Sequence, residues 1–190
     1  GNTGITFPAA KTVYWNLAGS TNWSSTGWCT ASGGTPDINQ FPLAQDTAVF
    51  DNAGSIGTLT LQAFNVGTVN MSSRSTAFNI GTATTPPTFY GNWTWTSAIT
   101  FLSASTNAFI YSGRGTGTYT SNGLDVPYGF TTDCFSGTLQ LGSALSHSNS
   151  GVGLTLISGT FDAVTYNVTV GVSSNGFSNS RLKMGSGTWT

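Results

Sequence analysis

Glutamate does not occur in this chain of 190 residues, and lysine and methionine are down to two each. These side chains lose little rotamer freedom in a helix, so the chain has few residues with which to build one. Charged residues amount to 6%, against roughly a quarter in ordinary soluble domains, and the formal net charge is −1. That excludes the basic footprint that binding of nucleic acid requires. No apolar run approaches the ~20 residues of a membrane-spanning helix, so no membrane insertion is expected. The two cysteines, Cys29 and Cys134, lack the CxxC spacing of zinc or redox sites. They leave open one disulfide in an oxidising compartment or two buried thiols. With a single histidine, His147, and scattered aspartates, no metal or other cofactor is expected. The chain opens on Gly1 with no basic-then-apolar leader, which reads as a processed or trimmed start.

Against these absences stand 25 glycines, and Ser plus Thr at about three residues in ten, well above ordinary usage. Hydrophobic residues make up 38%, too many for a disordered chain and enough for one sizeable core. Thr, Val, Ile, Phe, Tyr and Trp suit a pleated, half-buried surface. The expected fold class is all-β, under an uncharged coat of Ser, Thr and Asn.

The chain has two textures. Residues 1–56 hold Trp15, Trp23 and Trp28, the turn-rich "SGGTPD", Pro42 and "DTAVFD". Residues 57–190 are short alternating pieces such as "TLTL", "AFNIG", "FYGNWTW", "AFIYSG", "GTLQLG" and "YNVTVG". They recur roughly every ten residues between Gly, Ser and Asn, the rhythm of strands and turns. Alternation puts Leu, Val, Ile and Phe on one side and Thr, Ser and Asn on the other. Some pieces resemble one another: "GTLTL" at 57–61, "GTLQLG" at 137–142 and "GLTLISGT" at 153–160, and again "SGTF" at 158–161 and "SGTW" at 186–189. Degenerate self-similarity predicts a β-solenoid, each coil repeating one unit. A β-sandwich or jelly roll of regularly spaced short strands is the alternative. The expected organisation is a Trp-rich capping region over 1–56 and a repetitive strand region over 57–190, in one continuous domain.

With these pieces in place, the chain resembles the Gly/Ser/Thr-rich β-solenoid repeat proteins of bacteriophage tail fibres, virions and bacterial surfaces. The resemblance is carried by "YWNLAGSTNWSSTGW" at 14–28, Pro42 and "DTAVFD" at 46–51, then "LTLISGTFDAVTYNVT" at 154–169 and "GSGTW" at 185–189. Residues 67–129 match in texture alone. The resemblance implies an architecture rather than an activity. It also implies further coils after the "GSGTW" step, where this chain stops.

Chemistry is sparse. Pectinase-type β-helix hydrolases carry an Asn-Thr-Asp, a paired Asp, a Gly-His-Gly and an Arg-Ile-Lys; "TTD" at 131–133, "SHS" at 146–148 and "RLK" at 181–183 keep that order. Inverting hydrolysis needs two carboxylates about 6.5–9.5 Å apart. No acidic residue lies between Asp133 and His147, and the next one is Asp162. A degraded hydrolase, with Asp133 and Asp162 converging, is therefore the remotest reading. His147 stands in a Ser/Asn-rich stretch and reads as a solvated loop residue, with no GxSxG elbow to serve. Asp46 and Asp51 flank "TAVF" and read as turn caps rather than calcium ligands.

Trp93 and Trp95 are two apart and share a face of any strand. That makes them glycan-stacking candidates, and equally suits a core that buries large aromatic area. The sequons at Asn22, Asn70, Asn92 and Asn167 are N-glycosylation candidates, though so much Ser and Thr yields as many by chance. The ending "RLKMGSGTWT" reads as a strand, a turn and the opening of another strand. Thr188, Trp189 and Thr190 are the assembly candidates, docking on the N-terminal region of a second copy, where Ile5 and Phe7 in "GITFPA" form an added strand. More coils of the same chain over that edge are the alternative. The expected function is a non-enzymatic structural module of an extracellular or virion-surface fibre, a homo-oligomer or filament. A carbohydrate-binding adhesin, with surface glycans as partners, is the first alternative.

Overall fold

The computed structural model describes residues 8–81, 85, 87–102, 107–147, 153–175 and 179–190, with the backbone alone at 172–175. Ile5 and Phe7 lie outside the described residues. Strand accounts for 48% of the chain and helix for 2%, as the scarcity of helix formers requires. Among the described residues no helix is long and apolar enough to cross a membrane.

The chain enters through β1 (Thr12–Trp15), β2 (Leu17–Asn22) and β3 (Trp28–Cys29). After one 3-10 turn at Ile38–Gln40 come β4 (Thr47–Val49), β5 (Ile56–Thr60) and β6 (Asn65–Val66). Next are β7 (Thr68–Asn70), β8 (Phe78–Gly81) and β9 (Thr88–Phe89), then β10 (Trp93–Thr94), β11 (Ile99–Phe101) and β12 (Ala108–Tyr111). β13 (Thr116–Thr120) leads to the long β14 (Gly129–Leu141), then β15 (Leu145–Ser146) and the long β16 (Gly153–Asp162). β17 (Val168–Thr169), β18 (Val172–Asn175) and β19 (Ser180–Lys183) follow.

These strands stack into a three-faced β-solenoid. The first face is β1, β4, β7, β10, β13, the second halves of β14 and β16, and β19. The second is β2, β5, β8 and β11, and farther along β15 and β17, flanked by the bridges Asp125–Ser146 and Val168–Trp189. The third is β6, β9, β12, the first halves of β14 and β16, and β18. Val69 stands over Ala48, Trp93 over Val69, Tyr119 over Trp93 and Leu141 over Tyr119, so these four turns take 21 to 26 residues each. Among the described ladders all are parallel except β1–β3. A sandwich or jelly roll, whose sheets are antiparallel, is thereby ruled out.

The self-similar pieces of the sequence do not stack on one another. Residues 57–61 lie on the second face, 137–142 on the first, and 153–160 on the third and around its corner. "SGTF" enters the first face and "SGTW" the second. They share one local form, a strand leaving a glycine, which any corner of the solenoid accepts. The stacked repeat is narrower: Thr116, Thr138 and Thr160 are in register, each preceded by glycine. Backbones crowd at this corner. A Cβ on Gly137 would stand 2.0 Å from the Gly113 carbonyl oxygen, and one on Gly159, at φ +78°, 2.2 Å from Cys134 Sγ.

Alternate residues point inward and form one apolar cluster from Val13 to Val168. Trp23 lies flat on Phe64 at 3.8 Å, while Trp15 and Trp28 meet edge-on at 5.0 Å and both pack on Phe50. Leu59 and Leu61 belong to the same cluster. The Trp-rich region supplies rungs of its own: β1 pairs with β4, and β2 with β5, which starts at Ile56. β3 folds back on the side of β1 away from β4.

Candidate functional site

The hydrolase pattern does not assemble. Residues 131–133 run from the third face into its corner, His147 belongs to the second face, and 181–183 lie on the first. Asp133 pairs in register with Ser158, and its Oδ1 accepts the Ser158 hydroxyl at 3.0 Å. Asp162 lies beyond the corner at Gly159, on the first face, in register with Gln140. Its carboxylate accepts the Val164 N–H at 2.9 Å and pairs with Lys183 Nζ at 3.1 Å. The two carboxylates serve separate corners and do not converge.

His147 is not a solvated loop residue. It is 1% exposed, its ring centroid is 5.7 Å from that of Phe130, and neither ring nitrogen has a hydrogen-bond partner among the described residues. Its backbone N–H donates to Thr169 O, and Val126 donates to Ser146 O, so the imidazole takes an inward rung between Val126 and Val170. Burial holds its pKa down to about 4, although Asp125 nearby pulls the other way. At neutral pH it is an uncharged core residue. Alternation was the available signal, because Leu145 and His147 are two apart.

Asp46 and Asp51 cap turns. Both oxygens of the buried Asp46 are occupied, one by the Lys11 N–H at 2.9 Å and one by the Leu43 N–H at 2.8 Å. Asp51 Oδ1 accepts from the N–H groups of Ala53 and Gly54. Arg74, which sequence reasoning missed, is buried next to Asp51. Its guanidinium donates to the carbonyls of Asp51, Gly54 and Thr76 and lies over the Phe78 ring at 5.1 Å. Every donor contact goes to backbone, so this is a clamp between turns.

Trp93 and Trp95 are fully buried, and Trp95 Nε1 donates to the Tyr119 hydroxyl at 2.7 Å. Neither ring can stack on a sugar, which corrects their assignment as glycan platforms. Cys29 and Cys134 are free and buried, which corrects the disulfide. β3 and β14 are six strand spacings apart in the sheet order, beyond any S–S bond. Burial pushes both thiols above their ordinary pKa.

Of the sequons, Asn70 Oδ1 is engaged with Ser72, Asn92 Oδ1 with the Thr118 N–H and Asn167 Oδ1 with the Thr188 N–H. Asn22 is exposed on β2, with no side-chain hydrogen bond among the described residues. At residues 188–190 the chain pairs with β17: Thr190 N–H donates to Val168 O, and Trp189 Nε1 to Met184 O at 2.8 Å.

A groove of about 340 Å³ crosses the second face over β2, β5 and β8, lined by Gly19, Ser20, Ile56, Gly57, Thr58, Ala77, Phe78 and Asn79. No charged side chain lines it. Sequence patterning gave no sign of it, because it depends on register. Among the described residues no three His, Cys or Asp side chains gather to hold a metal. Comparison with protein-family models, curated proteins and solved structures finds no match to this chain.

Proposed function

We propose that this chain is a non-enzymatic structural module of an extracellular or virion-surface fibre, built to continue as a filament. The observation that carries the reading is the set of parallel columns on all three faces. Among the described residues the last rung of these columns, β18, β19 and residues 188–190, pairs with β16 and β17. A strand with one partner presents a row of free N–H and C=O groups that templates another strand. Leu182 and Met184 are exposed at that end, and the low net charge offers little repulsion. The occupant is the N-terminal region of a second copy, a heterologous contact that propagates into a filament when its rotation does not close a ring. On this reading the Trp-rich region caps the other end, with the antiparallel β3 laid along the outer edge of β1. The uncharged Ser, Thr and Asn coat suits a location outside the cell. Light scattering on the 190-residue chain tests the proposal. Particle mass should rise with concentration for the parent, and Trp189→Asp or removal of residues 1–12 should abolish the rise. A parent that stays monomeric at high concentration overturns it.

A further inference from the structure

The groove on the second face has the makings of a ligand site that is independent of assembly. β2 carries a bulge between Leu17 and Ser20, where Gly19 sits at φ +84°. Opposite it, a Cβ on Gly57 would stand 2.6 Å from the Gly19 carbonyl oxygen, so the floor is bare backbone. Beyond the bulge, Ser20, Thr58, Asn79 and Thr100 are in register, one per rung. They alternate with the inward Leu59, Ile80 and Ile99 and therefore point outward.

Several outward polar side chains elsewhere bond within the protein: Asn92 to Thr118, Gln140 to Thr118, Asn52 to Ser75, Ser24 to Gln62. None of Ser20, Thr58, Asn79 and Thr100 has a side-chain hydrogen bond among the described residues. We infer that this column binds a linear, neutral saccharide laid along the solenoid axis. The donor set supports that chemistry. Hydroxyls and one amide offer both donors and acceptors, as a polyhydroxylated ligand needs, and no charge is present to select an ionic one. Ile56 and Ala77 provide an apolar flank for ring C–H faces. Rungs repeat every ~4.8 Å, close to the advance per ring of an extended β-1,4-linked pyranose chain, so each ring of such a chain meets one polar group. An extended peptide fits poorly, since the groove crosses the face of the sheet, where β5 and β8 have neighbours on both sides and no free backbone edge.

The test uses Trp189→Asp, so that failure of assembly and failure of binding are read separately. Cello-, xylo-, laminari-, malto- and chitohexaose are titrated at up to millimolar concentration, followed by calorimetry and by amide NMR shifts. At least one should bind, with shifts centred on β2, β5 and β8. Thr58→Ala combined with Asn79→Ala should weaken that binding at least about tenfold. Asn92→Ala on the first face should leave it unchanged, and polygalacturonate should not compete. Absence of binding across the neutral panel overturns the inference, as does binding that the double variant leaves intact.

Discussion

Between Val13 and Ala48, the first neighbours on the first face, the chain spends 35 residues; between Leu139 and Phe161 it spends 22. The long excursion carries the antiparallel β3, the 3-10 turn and an irregular loop. Side-chain chemistry holds it in place, with three indoles on Phe50 and Phe64 and Asp46 collecting two backbone N–H groups, while Arg74 fastens the turns that follow through three carbonyls. At the other end β14 and β16 run through a corner without breaking, and their 13 and 10 residues are aligned mainly by backbone ladders. Where the length of a turn is regular, parallel pairing suffices and the core is filled by Leu and Phe. Where it is irregular, large aromatics and buried polar clamps do the fastening.

Truncation at the two ends should therefore differ. Trp28→Ala removes a buried indole from a region with few ladders and should cost about 4 kcal/mol in urea unfolding, against about 3 for Leu139→Ala. A larger loss for Leu139→Ala would break the comparison. Arg74→Leu leaves the carbonyls of Asp51, Gly54 and Thr76 without donors and should cost about 3 kcal/mol. Arg74→Lys should recover less than half of that, since an ammonium lacks the planar fork. Equal stability of Lys and Arg at this position would argue that charge, not geometry, secures the turn.

The regular end has its own weak point in His147. Its folded pKa of about 4 lies below the ordinary 6.5, so the neutral form is the one the fold favours. Its contribution is complete above pH 6.5 and is lost as the pH falls toward 4, by at most about 3 kcal/mol. Denaturation midpoints measured across that window should fall for the parent, and more gently for His147→Leu. The smallest effect concerns Phe135, which is 78% exposed at φ +49° where β14 turns the corner. Phe135→Gly should raise stability by up to about 1 kcal/mol by relieving the left-handed backbone, while Phe135→Ala, equally strained, should not.

Much of the fold was legible in the residues. Missing helix formers and the alternation of "GTLQL" or "GLTL" require strands, and the same alternation places Leu139, Leu154 and Leu156 inside. Trp93 and Trp95 show the limit of that signal. Two-residue spacing says that they share a face and not which one, and only the stacked rungs put that face inward. His147 followed the alternation but was misread because its neighbours are Ser and Asn. Arg74 and the groove left no local trace, since their partners lie about one turn away in sequence.

Composition and periodicity alone determined that this chain is all-β, uncharged outside and wound from short repeated strands. Those are properties of single residues and of their immediate neighbours. The tertiary structure decided which pieces stack, and with that the separation of Cys29 from Cys134, the scattering of Asp133, His147 and Lys183 over different parts of the surface and core, and the alignment of Ser20, Thr58, Asn79 and Thr100. The physical reason is that a corner accepts the same glycine-led step on any face. Register is set by how many residues each whole turn consumes, 35 between Val13 and Ala48 and 19 between Leu154 and Ser173, a sum that no local motif records.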